Sequence, residues 1–295
     1  MDRIGFIDRH ARVLRGHGLW RTWCSGCLIV LSFLSPLRAE SPAFTRPSSS
    51  LQSRQEAVQL IPLDQLTAGK REKIQKVIDR PSVYRRLPVQ LTATDPKLFT
   101  FLVRYPEVVI NMWQLMGATN IKFQRTGPYT FQMNDGAGTS SRVELVYGTP
   151  KVHVFYAEGF YDGSLLPRRV QGNCVMVLTT GSSLQEGRTL LSSRLDVFVQ
   201  ADRLGVELLA KTLHPLMGST IDKNYSDTIR FVSQLSRATT QNRAGIERLT
   251  ARLANVNPVI RSRFNELTVQ LNESSRKAAT RVARPLPDDP SQRRE

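Results

Sequence analysis

The sequence predicts an α+β fold in which a seven-stranded, curved antiparallel sheet wraps a long C-terminal helix, with extra helices at both ends. Three observations predict it. Six strand-like runs follow one another between residues 121 and 200, each closed by turn residues. Short links of this kind join antiparallel neighbours. An earlier alternating run at 83–93 supplies the seventh strand. A stretch from 204 to 239 then carries one apolar stripe, Leu209, Leu213 and Met217 leading into Ile221, Tyr225, Ile229, Val232 and Leu235. Its spacings of three and four are those of a helix with one buried face.

The 295 residues suffice for a buried core, and 40% hydrophobic with 22% charged residues is a globular composition. Residues 1–39 read as a secretory signal peptide. Arg9, Arg12, Arg15 and Arg21 precede an apolar run from Cys24 to Leu34, Pro36 breaks it, and Ala39 suits the position before a cleaved bond. The run is shorter than the ~20 residues a membrane span needs. Cys27 ends a lipobox-like Cys24-Ser25-Gly26-Cys27, but a lipidated cysteine follows the apolar run and this one precedes it. The expected location is therefore the periplasm or cell envelope, with cleavage after Ala39. Cleavage leaves Cys174 as the lone cysteine, buried and without a disulfide.

Residues 40–55 are rich in Ser and Pro and read as a flexible linker. A helical lead-in spans 56–81, where Ile74, Val77 and Ile78 recur at helical spacing and Pro81 ends the segment. In the strand that follows, Val89, Leu91 and Ala93 share one face, expected to be the buried one. Asp95-Pro96 starts a helix over 96–116, which Pro106 splits and Gly117 ends. The six runs are Ile121–Arg125, Tyr129–Met133, Arg142–Tyr147, Lys151–Tyr161, Leu165–Thr180 and Arg188–Gln200. Pro215 and Gly218 should kink the long helix. Basic helices, divided by Pro258, occupy 241–283 and either pack on the domain or project from it. A disordered tail is expected over 284–295.

The order strand, two short helices, six antiparallel strands and a long amphipathic helix resembles the helix-grip fold of the START-like (SRPBCC) superfamily. The resemblance covers roughly 82–240 and rests on element order and on Leu195-Asp196-Val197-Phe198-Val199, Gly205 to Leu213 and Pro215-Leu216. It implies an apolar cavity between sheet and long helix, and lipid or hydrophobe binding, transfer or cyclase chemistry. The helices at both ends and the leader lie outside the family pattern. The whole chain also looks like exported bacterial proteins.

If one strand face points at the helix, alternation nominates cavity residues Phe123, Tyr129, Phe131, Met133, Tyr147, Tyr156, Glu158 and Met176. Leu145, Val154, Cys174, Leu195 and Val197 share that parity. Trp113, Met116, Leu213 and Met217 would close the ends. A filled core would use the same residues. Glu158 either pairs with Arg125, meets a polar ligand group, or is turned to solvent by a bulge near Gly159.

No motif for catalysis stands out. His153 and His214 have no partner at metal-ligand spacing, and no G-x-S-x-G elbow or phosphate loop occurs, so neither metal nor cofactor is expected. Glu158, Tyr156 and Tyr147 are the nameable acid–base groups. The net charge of +16 favours anionic membrane or cell-wall surfaces, while export disfavours nucleic acid. The expected function is an exported binding module for a lipid or other small hydrophobic ligand. The competing expectation is an envelope interaction or structural protein with a filled core and a basic C-terminal extension.

Overall fold

The computed structural model describes residues 46–164, 168–185, 188–202 and 214–282. The stretches expected to be a leader (1–39) and a disordered tail (284–295) lie outside the described residues, as do residues 203–213.

The first helix, α1 (Leu51–Gln59), starts inside the stretch read as linker. Ser50 caps it, its Oγ accepting from the Ser53 N–H at 3.1 Å. Ser48 exchanges two backbone hydrogen bonds with Arg86. The Ser-rich composition that suggested flexibility thus supplies a cap and a bridge. A 3-10 turn (Leu63–Gln65) leads to α2 (Ala68–Asp79), which buries Ile74, Val77 and Ile78 as its spacing predicts.

The sheet is antiparallel and has eight strands, because the expected strand at 83–93 is two. These are β1 (Val83–Arg86) and β2 (Gln90–Thr92), both paired to β8. Leu87 and Pro88 interrupt them, and proline has no N–H for the ladder. The expected buried face is not buried: Leu91 is 61% exposed, while Tyr84, Arg86 and Leu87 are buried. Next come α3 (Pro96–Arg104) and α4 (Pro106–Leu115), split at Pro106 as predicted. Asp95 caps α3 by accepting from the N–H groups of Lys97 and Leu98 at 2.8 and 3.1 Å. Gly117, at φ 65°, ends α4.

The meander follows as β3 (Lys122–Gly127), β4 (Thr130–Asn134), β5 (Thr139–Gly148), β6 (Val152–Tyr161), β7 (Val170–Gln185) and β8 (Arg188–Ala201). The order across the sheet is β1-β8-β7-β6-β5-β4-β3, with β2 beside β8. A Cβ on Gly159 would run into the Ser140 carbonyl and the Ser141 Cα of β5. The strands approach too closely there for a side chain, which lets the sheet bend.

The long helix α5 (His214–Gln241) packs over β1, β2 and β8. Arg85 ion-pairs with Asp222, Gln90 donates to Ser226 Oγ at 3.2 Å, and Tyr225 donates to Ser193 Oγ at 2.9 Å. The Asp222 hydrogen bond raises the Arg85 pKa. The C-terminal helices α6 (Arg243–Ala251) and α7 (Pro258–Val282) lie on the domain. Leu253, Val256, Ile260 and Phe264 join the main core, and the Asn272 amide donates to the Thr239 and Thr240 carbonyls at 3.1 and 3.0 Å, capping α5. Val259 at the start of α7 is exposed, and Ile260 is the residue buried there.

This is the helix-grip architecture, a curved antiparallel sheet with a long C-terminal helix on one face. Its departure is a second core on the other face, where α1 and α2 cover Tyr84, Val154, Tyr156, Val175, Val177 and Phe198.

Candidate functional site

The face of the sheet toward α5 is here called inner, and the face toward α1 and α2 outer. Register assigns each residue. Leu145, Phe155, Met176 and Val197 lie side by side across four strands on the inner face. The adjacent inner row is Phe131, Val143, Ala157, Cys174 and Val199. The next runs through Phe123, Met133, Ser141, Gly159 and Gly172. Small side chains therefore occupy its middle.

Among the described residues the inner face is not sealed. Leu178 and Leu191 are buried where it meets α3 and the C-terminal helices. Phe155, Ala157, Cys174, Met176, Leu195 and Val197 are only half-buried, although they sit on central strands. Burial pushes the Cys174 thiol up to about 12, so it stays protonated and unreactive. At one side of this strip, Arg125 binds Glu107 of α4 at 2.6 and 2.9 Å and lies over the Phe131 ring at 4.5 Å. Trp113 of α4 meets Phe231 of α5 edge-on at 5.6 Å, and its buried indole N–H has no hydrogen-bond partner among the described residues.

The nominated residues divide. Phe123, Phe131, Met133 and Met176 lie on the inner face, with Leu145, Cys174, Leu195 and Val197. Phe123 and Phe131 stack at 5.2 Å. Trp113 and Met116 are half-buried, at and just past the end of α4. Tyr129 is 58% exposed in the β3–β4 turn and lines nothing. Tyr147, Tyr156 and Glu158 are on the outer face, as is Val154. Leu213 lies outside the described residues, and so does the side chain of Met217.

The corrections share a cause. A bulge at Val146 sets Leu145 opposite Phe155 but Tyr147 opposite Val154, so Leu145 and Tyr147 part company. In β6 large apolar residues stand at both parities, Val154 and Tyr156 packed on the outer face and Phe155 half-buried on the inner. Alternation then has no unique phase. Phe155 and Ala157 were missed for this reason. The register of the β5–β6 hairpin was the signal that would have found them.

Glu158 pairs with Lys73 of α2 at 3.7 Å and its side chain is 42% exposed. Neither an Arg125 partner nor a bulge at Gly159 explains it, because Arg125 is held by Glu107 and pairing runs unbroken through Gly159. All three acid–base candidates therefore stand away from the inner strip. What remains there among the described residues is an apolar surface edged by the Arg125–Glu107 and Arg85–Asp222 ion pairs.

No protein-family model and no curated protein matches the chain. Among solved structures, it is similar to a conserved protein from Geobacillus kaustophilus, at 10% identity and a TM-score of 0.36, over 51% of this chain and 93% of that one. It is also similar to Ara h 8.0201, at 10% identity and a TM-score of 0.34, over 52% of this chain and 99% of that one. Likeness this distant does not speak to ligand or activity.

Proposed function

We propose that this protein is an exported binding module for a lipid or other small hydrophobic molecule, held on the inner face of the sheet. One observation carries the reading. Phe155, Cys174, Met176 and Val197 are half-buried on central strands, whereas Val154, Val175, Val177 and Phe198, alternating with them on those strands, are fully packed. A half-covered apolar strip at the heart of a sheet is an unmet burial demand, which an apolar ligand satisfies at about 25 cal/mol per Å² removed from water. Methionine and a small-residue floor adapt to varied ligand shapes. The leader, with its arginines, apolar run and Ala39, supports export.

One measurement tests both parts. Native mass spectrometry of protein purified from its own host is expected to show a chain beginning at Glu40 with an apolar molecule bound. Met176→Trp, which fills the strip, is expected to remove that added mass. A bare polypeptide from both proteins would sink the ligand reading. A chain retaining residues 1–39 would sink cleavage.

A further inference from the structure

A cleft of about 950 Å³ lies at one end of the inner face, past the half-buried strip, walled by α3 and α7 and floored by the β7–β8 hairpin and the Pro150-Lys151 turn. Each helix gives it one whole face. Lys97, Thr100, Phe101 and Arg104 follow the helical spacing on α3, and Arg263, Glu266, Leu267 and Gln270 repeat it on α7. Phe101 and Phe264 meet at 5.9 Å and join the helices.

The charge in this cleft is uneven. Lys97, Arg104, Lys151 and Arg263 line it against the single carboxylate of Glu266. None of the four cations forms an ion pair among the described residues. Arg104 spends donors on His153 Nε2 and the Gly148 carbonyl at 3.4 and 3.3 Å, and Arg263 Nη1 reaches the Tyr105 hydroxyl at 3.4 Å. Such neutral contacts position the guanidiniums and leave their charge uncompensated. The excess of cations over carboxylates is larger here than in a second cleft. That cleft, of about 870 Å³ near β3 and β4, has two cations and one carboxylate, and that carboxylate, Glu158, is paired to Lys73.

Unpaired cations in a concave site concentrate anions. Phe101, Tyr105 and Leu267 put an apolar surface beside them. We propose that this cleft binds an anionic amphiphile, with a compact phosphate-like head between Lys97, Arg104, Lys151 and Arg263 and its apolar chain along Phe101 and Leu267. Guanidinium groups fit the oxygens of such a head with paired N–H donors. The site is independent of the inner-face reading and stands or falls separately.

Isothermal titration of the full chain with monomeric octyl phosphate, inorganic phosphate and octyl glucoside tests it. Octyl phosphate is expected to bind at least about tenfold more tightly than either, a gap that narrows with added salt. Lys97→Gln with Lys151→Gln alters two exposed side chains and is expected to weaken octyl phosphate by about tenfold or more. Met176→Trp, on the inner face, is expected to leave it unchanged. Equal affinity for inorganic phosphate would overturn the proposal. So would loss of octyl phosphate binding in Met176→Trp with none in the double variant. Recruitment to phosphatidylglycerol vesicles without binding of the monomer would overturn it too, because it would assign the charge to a bilayer surface.

Discussion

The two faces of one sheet are built differently from alternating residues of the same strands. The outer face is closely packed: Val154, Val175, Val177 and Phe198 meet Ile74, Val77 and Ile78 of α2. It also carries a buried polar knot. Asp196 accepts from Tyr84 Oη at 2.7 Å, Arg86 Nε at 2.8 Å and Arg194 Nε at 3.2 Å. Arg86 continues to Glu56 of α1 at 2.7 Å, which lowers the Glu56 pKa. Burial first, and then the Asp196 hydrogen bond, push the Tyr84 phenol far above its ordinary range. A lone buried carboxylate costs several kcal/mol, and three donors offset that cost. Among the described residues the inner face has no such knot at its centre, and its central side chains stay half-buried. The difference teaches a division of labour. By giving the sheet a second core outside the helix-grip pattern, α1 and α2 let the inner face remain partly unpacked without loss of the fold.

The sharpest way to break this comparison is to truncate one residue on each face. Phe198→Ala empties a fully buried site and is expected to cost about 3–5 kcal/mol. Met176→Ala, one strand position from fully buried Val175 and Val177 but only half-buried itself, is expected to cost about 1–2 kcal/mol. Urea denaturation measures both. Equal losses would mean that the inner face bears as much of the stability as the outer.

Acid provides a second probe, at the end of the inner face where β6 begins. His153 is 1% exposed, and burial, followed by the charge of Arg104, lowers its pKa from 6.5 to about 4. The folded state holds it neutral while the unfolded state takes up a proton. Its contribution is therefore intact above about pH 6.5, declines as pH falls through the window, and is gone below about 4. The loss is on the order of 3 kcal/mol. Melting temperatures at pH 7 and pH 4.5 should differ less in His153→Phe than in the unaltered chain. An unchanged difference would show that other groups dominate acid sensitivity.

Legibility in the sequence followed the same divide. Elements with one covered face, or with backbone punctuation, could be read: Asp95-Pro96 at the start of α3, Pro106 between α3 and α4, Gly117 at its end, and the stripe through Tyr225, Ile229, Val232 and Leu235. The closing strand could be read too, since Leu195 and Val197 face inward as their alternation predicts. Strand β6 could not, because His153, Phe155 and Ala157 compete with Val154 and Tyr156 for the same role. Nor could α1, whose mean composition is polar and whose fixing contacts, Ser48 to Arg86 and Arg86 to Glu56, span the sequence. The face assignments thus match the structure in β3, β4, β7 and β8, divide within β5 at the Val146 bulge and invert in β6.

The smallest expected effect tests that misread strand directly. If Glu158 faced the inner strip, neutralising it would relieve a buried charge and alter any ligand held there. On the outer face, 3.7 Å from a Lys73 side chain that is itself 55% exposed, it forms a solvent-screened pair. Such pairs contribute about 0–1 kcal/mol. Glu158→Gln is therefore expected to change stability by less than about 1 kcal/mol, with a slight further decrease in that difference as salt is added. Binding of an apolar probe should not change. A stabilisation of several kcal/mol, or a lost probe signal, would turn β6 over and place Glu158, Tyr156 and Val154 back on the inner face.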